Sequence, residues 1–312
     1  MSRIKYLLKT IGRSKFISTS NRKLIAVITG ANGAIGTEIT RLLLQNNFKV
    51  VCLIRDRDYG NWLNNFTYEP NLVVQHIDLS NLQNVKEIAK LLANEYPHID
   101  LIICGAGIML QPFKRTKDGF ESHCAVNLLS HAVLVNYLLP SMTKYPAGES
   151  CVRNSRVVFL SSATAHLGVF CSIIQDNSQI FYAYRNGYQA YSTSKFALSL
   201  YAEEMDKQIQ QKSAAANQRA VTAISVHPGC VASGLYEYAN TLTKAMIFRF
   251  LRPIMRNPAL AAAETIALGC ADNLKGGCYY QHMTPTRILC SISKKQQLYQ
   301  HVKKVIISME EM

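Results

Sequence analysis

Six short apolar runs, rich in Val, Ile and Leu, alternate along this chain with longer amphipathic ones, and that alternation leaves few folds open. "LIAVITG", "FKVVCLIR", "NLVVQHID" and "IDLIICGAG" fall in the first third; "SRVVFLSS" and "AVTAISVHPG" follow later. Runs that are apolar at almost every position suit strands buried on both faces, and the stretches between them have the length and periodicity of crossover helices. The pattern predicts an α/β fold: a single-domain, Rossmann-type, doubly wound parallel sheet of about seven strands with helices on both faces. A chain of 312 residues with 48% hydrophobic content can bury one large core, and no Pro-rich linker, internal repeat or low-complexity block divides it. Helices are predicted over "AIGTEITRLLLQNN", closing at Asn46 and Asn47, and over "LSNLQNVKEIAKLLANEY", introduced by Ser80. Two longer ones cover "DGFESHCAVNLLSHAVLVNYLLPSM" and "YQAYSTSKFALSLYAEEMDKQIQQ".

The first strand runs directly into "TGANGAIG", Thr29 to Gly36, and from there into a helix. Glycines at such a junction let the backbone turn tightly and approach a phosphate, and the free N–H groups of the helix N-terminus favour its charge. Further along, Tyr191 and Lys195 stand four residues apart on a helix, so the phenol and the ammonium lie on one face.

Taken together, these landmarks resemble the short-chain dehydrogenase/reductase family over roughly residues 24 to 282. The family's TGxxxGxG loop falls on residues 29 to 36 and its YxxxK on Tyr191 and Lys195. Its serine matches Ser162 in "VVFLSS", its asparagine Asn127 in "AVNLLSH", its PG Pro228 and Gly229, and its acidic residue after the third strand Asp78. The resemblance implies a catalytic set of Asn127, Ser162, Tyr191 and Lys195. In it Lys195 lowers the phenol pKa of Tyr191 and holds the nicotinamide ribose, Ser162 orients the substrate oxygen, and Asn127 holds a water linking Lys195 to solvent. It also implies a cofactor site made by Thr29, Gly30, Asn32, Gly33, Ala34, Ile35, Gly36, Arg55, Asp78, Leu79, Cys104, Gly105, Ala106, Tyr191, Lys195, Pro228, Gly229 and Val231. Two positions depart from the pattern. Ala34 replaces the loop's middle glycine, and "CGAG" at Cys104 to Gly107 replaces "NNAG", which predicts a locally weaker sheet edge.

At the end of the second strand an NAD enzyme would carry an acid for the ribose hydroxyls. Here the position is Ile54, followed by Arg55, whose guanidinium suits a 2′-phosphate; NADP(H) is therefore expected over NAD(H), with Asp56 the rival if the register slips by one.

The formal charge of +14 fits an anionic surface or cofactor. No nucleic-acid-binding module or aromatic-basic stacking platform accompanies it, so nucleic acid is not an expected partner. Residues 1–37 hold Arg3, Lys5, Lys9, Arg13, Lys15, Arg22 and Lys23 and no acid, with Ile4, Leu7, Leu8 and Ile11 at helical spacing. Residues 1–23 thus read as a basic amphipathic segment before the catalytic domain of 24–312: a membrane-lying helix, a mitochondrial transit peptide or a frayed end. No transmembrane helix is expected, because no run approaches the ~20 apolar residues needed to span a bilayer.

A substrate lid is expected near 234–258, where Met246, Ile247, Phe248, Phe250, Leu251, Ile254 and Met255 suit a greasy substrate. Lys244, Arg249, Arg252 and Arg256 would face lipid headgroups. "RVVFLSSATAHLG", "KDGFESHCAVNLLSH" and "GGCYY" are similar to the retinol dehydrogenase branch and to dehydrogenases of polyprenol. That similarity implies a retinoid or polyisoprenoid alcohol and its aldehyde, and an intracellular protein in peripheral contact with a membrane, the endoplasmic reticulum before the mitochondrion. The alternatives are the same chemistry on steroid or xenobiotic carbonyls, or an idle nucleotide-binding scaffold on a membrane. The helices at 118–145 and 187–211 resemble those that pair subunits in the family, which allows a homodimer. Nine scattered cysteines without a CxxC pair suit reduced thiols and no metal. His123, His131 and His166 lack an acid at useful spacing, and Cys230 reads as a small packed side chain.

Overall fold

All six apolar runs form strands in the computed structural model: β1 (Ile25–Thr29), β2 (Lys49–Ile54), β3 (Leu72–His76), β4 (Leu101–Cys104), β5 (Ser155–Leu160) and β6 (Val221–His227). The described residues are 2–14, 22–55, 59–66, 69–144, 154–168, 174–176, 179–180, 184–216, 220–232, 234–236, 238 and 255–310. A seventh parallel strand, β7 (Tyr279–Gln281), follows β6 in the sheet, and an eighth, β8 (Thr284–Thr286), closes the edge antiparallel to it. That strand exceeds the number expected because "TPT" is exposed at all three positions and carries a proline; a short, polar edge leaves no apolar signal.

The strand order is β8-β7-β6-β5-β4-β1-β2-β3. It reverses between β1 and β4, where Thr29 is level with Cys104, and a crevice opens beyond the carboxyl ends of the strands at such a switch point. Neighbouring strand residues feed opposite cores, as the two-residue period requires: Val27 joins one and Ile28 the other.

The first core lies under α3 (Leu82–Glu95), α4 (Ser122–Thr143), α5 (Gly187–Ala216) and α7 (Ile292–Ser308), with Phe159 set edge-on to Tyr201. The second lies under α2 (Ala34–Gln45), α6 (Pro258–Gly269) and α1 (Ser2–Arg13). Helix α3 starts at Asn81, whose side chain accepts from the Asn84 N–H, rather than at Ser80, which donates to the Asp78 carboxylate. A cap of this kind is worth about 1 kcal/mol.

By length and composition α4 is apolar enough to cross a membrane, but 72% of that window is buried inside the protein, between the sheet and α3. One π turn, Ala125–Leu129, interrupts it. The apolar stripe of α1 is not free either. Leu7 and Ile11 are buried against the second core, and α1 packs on α6, so the face expected to meet lipid or fray is covered by the protein's own domain.

Candidate active site

Beyond the carboxyl ends of β1, β2, β4, β5 and β6 lies a cavity of about 690 Å³. Its floor at one end is the glycine loop. Gly30 has φ +69°, and a Cβ there would come within 2.7 Å of Ala106 Cα; a Cβ on Gly36 would lie 2.1 Å from the Gly30 carbonyl oxygen. Backbone fills the space where side chains would otherwise stand. Gly33 at the head of α2 has no side chain to occupy the helix's first N–H groups, and Ala34 opens the helix half-buried. Asn32, Ile35, Asp78, Leu79, Gly105, Ala106, Pro228, Gly229 and Val231 also line the cavity, with Arg55 exposed at its rim. These features fit a dinucleotide: a close-approach glycine cradle, a helix N-terminus and a groove across the switch point.

Two expected cofactor contacts do not reach the cavity. Thr29 and Cys104 are fully buried beneath it. The Thr29 hydroxyl accepts from the Gly105 N–H at 3.0 Å and the Ala106 N–H at 3.2 Å, so its own proton goes to His131 Nε2 at 3.0 Å. The other ring nitrogen then carries the hydrogen and donates to the Asn127 carbonyl at 3.3 Å. Burial pushes His131 down to about 3, which keeps the ring neutral. The turn after β4 is therefore pinned from below, and Cys104 sits in the centre of the sheet, paired on both sides, not at a weakened edge.

Asn127 lies on the π turn of α4. Its side chain accepts from the Ile108 N–H at 2.9 Å and donates to the Ile108 carbonyl at 3.0 Å and to Ser194 Oγ at 2.8 Å; Ser194 in turn donates to the Tyr191 carbonyl. A Cβ on Gly107 would stand 3.2 Å from Asn127 Oδ1 and 3.4 Å from Lys195 Nζ, so the gap left by that glycine borders both.

Tyr191 and Lys195 share one face of α5 at the far end of the cavity, with Nζ 5.9 Å from the phenol ring centroid. Nζ donates to the Leu160 carbonyl at 2.7 Å. Burial drives Lys195 down to about 8. Tyr191 moves the opposite way from the sequence expectation: burial pushes it up to about 12, and a hydrogen bond from Ser162 draws it back. Desolvation of the phenolate is the largest of the effects acting on it. Ser162 Oγ accepts from both the N–H and the hydroxyl of Thr164, which leaves its proton for the Tyr191 side.

The cavity's outer wall is formed by Met109, Tyr188, Leu235, Tyr236 and Tyr238; the last three fall at the start of the expected lid of 234–258, whereas Met109 and Tyr188 were not expected. Tyr188 stands three residues before Tyr191 on α5, so helical spacing could have found it. His227 also lines the wall, accepting from the Ala163 N–H and held down to about 4, first by burial. Cys230 is exposed to the cavity and bonded to the Tyr236 hydroxyl, not packed. His123 does have an acid: Nδ1 is 2.7 Å from Glu121 Oε1 in a buried pair. His166 stands edge-on to Tyr279.

Of the expected lid, Lys244, Met246, Ile247, Phe248, Arg249, Phe250, Leu251, Arg252 and Ile254 lie outside the described residues, as does Asp56. Met255 is half-buried, and Arg256 is turned toward the protein: it pairs with Glu264 and donates to the Pro228 carbonyl.

A family profile described as short chain dehydrogenase matches residues 24–242. Retinol dehydrogenase 11 of Mus musculus is 35% identical over 73% of this chain and 69% of its own length. Retinol dehydrogenase 12 of Homo sapiens is 30% identical over 80% and 74%. Polyprenol dehydrogenase of Danio rerio is 28% identical over 81% and 75%. Among solved structures, an uncharacterized protein from Mycobacterium Paratuberculosis superposes with a TM-score of 0.64 at 23% identity, covering 94% of this chain and 95% of that one. The Pseudomonas aeruginosa RhlG/NADP active-site complex does so with a TM-score of 0.59 at 19% identity, covering 81% and 91%. These two share the fold.

Proposed function

The chain belongs to the short-chain dehydrogenase family and is an oxidoreductase of that kind, and from that premise we propose that it uses NADP(H) to interconvert a lipophilic alcohol, retinoid or polyisoprenoid, and its aldehyde. The observation that carries this reading is the convergence of Ser162, Tyr191 and Lys195 at one end of a cavity whose other end is the Gly30–Gly36 cradle. When bound, the nicotinamide supplies or accepts a hydride at the carbinol carbon. The remaining work falls to the protein. Gly30, Gly33 and Gly36 would admit the pyrophosphate, and Lys195 would hold the ribose. Ser162 donates to the substrate oxygen and fixes it against the Tyr191 hydroxyl. Tyr191 gives that oxygen a proton in reduction and takes one in oxidation. Lys195 then stabilises the phenolate, and Asn127 keeps the turn at Ile108 and the base of α5 in register.

Aromatic and aliphatic side chains dominate the outer wall, which favours an apolar substrate, and similarity to retinol and polyprenol dehydrogenases points to an isoprenoid one. Such substrates reside in membranes, where a net charge of +14 would hold the protein to anionic headgroups.

Arg55 at the rim is the proposed 2′-phosphate contact. Arg55→Ala should weaken NADPH binding about tenfold or more and leave NADH binding unchanged, as read by fluorescence titration. An unaltered preference would remove Arg55 from the site. The depressed pKa of Lys195 sets a pH dependence. Below about 8 the side chain is an ammonium in the folded protein, and it becomes neutral as pH rises through that value. Therefore kcat/KM for NADPH, which reports groups of the free enzyme, should fall about tenfold per unit above that point. A flat profile from pH 7 to about 10 would contradict the role given to Lys195. The same shift means that the unfolded chain binds more protons between about 8 and the ordinary lysine value, so stability contributed through this group rises with pH across that window.

A further inference from the structure

The N-terminal helix is the motif that this chemistry leaves unused, yet Arg3 leads from it to the cavity wall in three contacts, through Glu264 and Arg256 to Pro228. Glu264, buried on α6, accepts at Oε1 from Arg3 Nη2 at 2.7 Å and from Arg256 Nη2 at 2.8 Å. Arg256 sends its other arm, Nη1, to the Pro228 carbonyl at 3.0 Å, and its backbone N–H to the Cys230 carbonyl at 2.7 Å. Val231 and Arg256 are paired in an isolated bridge. The stem of Arg256 occupies the space over Gly229: a Cβ there would lie 1.9 Å from Arg256 Cδ, and Gly229 itself has φ +92°. A side-chain hydrogen bond, the backbone bridge and a steric fit thus hold residues 228–231, which line the cavity.

We infer that Glu264 and Arg256 are positioning residues for this wall, and that α1 contributes to cofactor affinity through Arg3. A guanidinium can hold a carbonyl oxygen in place only if its own orientation is fixed, and the Glu264 carboxylate fixes it. Arg3 supplies a second cation to the same buried carboxylate and ties the first turn of α1 to it. The inference rests on reading the cavity as the NADP(H) site.

The test is NADPH affinity by fluorescence titration on the full chain, with thermal unfolding of the nucleotide-free protein recorded for each variant. Glu264→Gln removes the charge that orients both arginines and should weaken NADPH binding about tenfold. Arg3→Ala, at a side chain that is 55% exposed and remote from the cavity, should weaken it about threefold, and Arg3→Lys should restore it. If Glu264→Gln melts earlier but binds NADPH like wild type, the trio is structural only and the inference is overturned. If Glu264→Gln does not fold, Arg3→Ala decides: unchanged affinity overturns the role of α1. Wild type that binds neither NADPH nor NADH overturns the cofactor reading itself, a result distinct from either of the others.

Discussion

Tyr191→Phe should cost roughly 10²- to 10⁴-fold in turnover with NADPH binding left intact, the range that loss of one positioned general acid commands. The substitution removes a single oxygen. The ring stays in a site where Tyr191 is 4% exposed, wedged on α5 between the cavity and the sheet, so the fold and the nucleotide cradle 
are untouched. The phenol is held at about 12 by burial and therefore carries its proton at neutral pH, ready to donate in the direction of reduction. Oxidation requires the reverse, a phenolate, and there the Ser162 hydrogen bond and the Lys195 ammonium supply stabilisation. The measurement is steady-state reduction of a retinoid aldehyde alongside nucleotide titration. Turnover within tenfold of wild type would mean that another group delivers the proton and that the assignment of Tyr191 is wrong.

Gly36→Ala should abolish measurable nucleotide binding and lower stability by about 1–3 kcal/mol, the usual cost of overpacking a filled site. The added methyl would lie 2.1 Å from the Gly30 carbonyl oxygen and 2.8 Å from Ala31 Cα, both backbone. The loop has nowhere to retreat, because Gly30 is itself against Ala106. Something in the cradle must move, and the groups that would meet a pyrophosphate move with it. Gly60→Ala is the matched control, since a Cβ there meets nothing within 4 Å. NADPH bound by Gly36→Ala as tightly as by wild type would show that the phosphates lie elsewhere.

The parts of this molecule that could be read from sequence are those whose physics is local. Strands buried on both faces announce themselves by composition, so all six apolar runs appear where expected, whereas exposed β8 does not. The Gly30–Gly36 loop and the Tyr191–Lys195 pair are short-range patterns on defined elements, and both reach the cavity. What stayed hidden depends on contacts between distant residues. Nothing near His131 in sequence points to Thr29, yet their bond pins the turn that the missing asparagines left in doubt. Arg256 looked like one of four lid cations until Glu264 and Pro228 claimed it. The direction of the Tyr191 shift was misjudged for a related reason: spacing reveals the neighbouring charge but not the depth of burial.

The π turn in α4 has a consequence for the family of sequences that could replace this one. It accommodates one more residue than an α-helical path would, so Ala125–Leu129 absorbs that residue while the two parts of the helix keep their phase. Deleting a single residue there would leave a continuous α-helix whose later part still meets the first core. What would be lost is the widened turn itself, from which Asn127 reaches Ile108 and Ser194 and offers its carbonyl to His131. Deleting a residue from the regular stretch after Ser130 has the opposite effect: everything beyond it would rotate by about 100°, and the apolar stripe would turn away from the core. A lost codon in this helix is therefore felt by the site at the π turn and by the core beyond it.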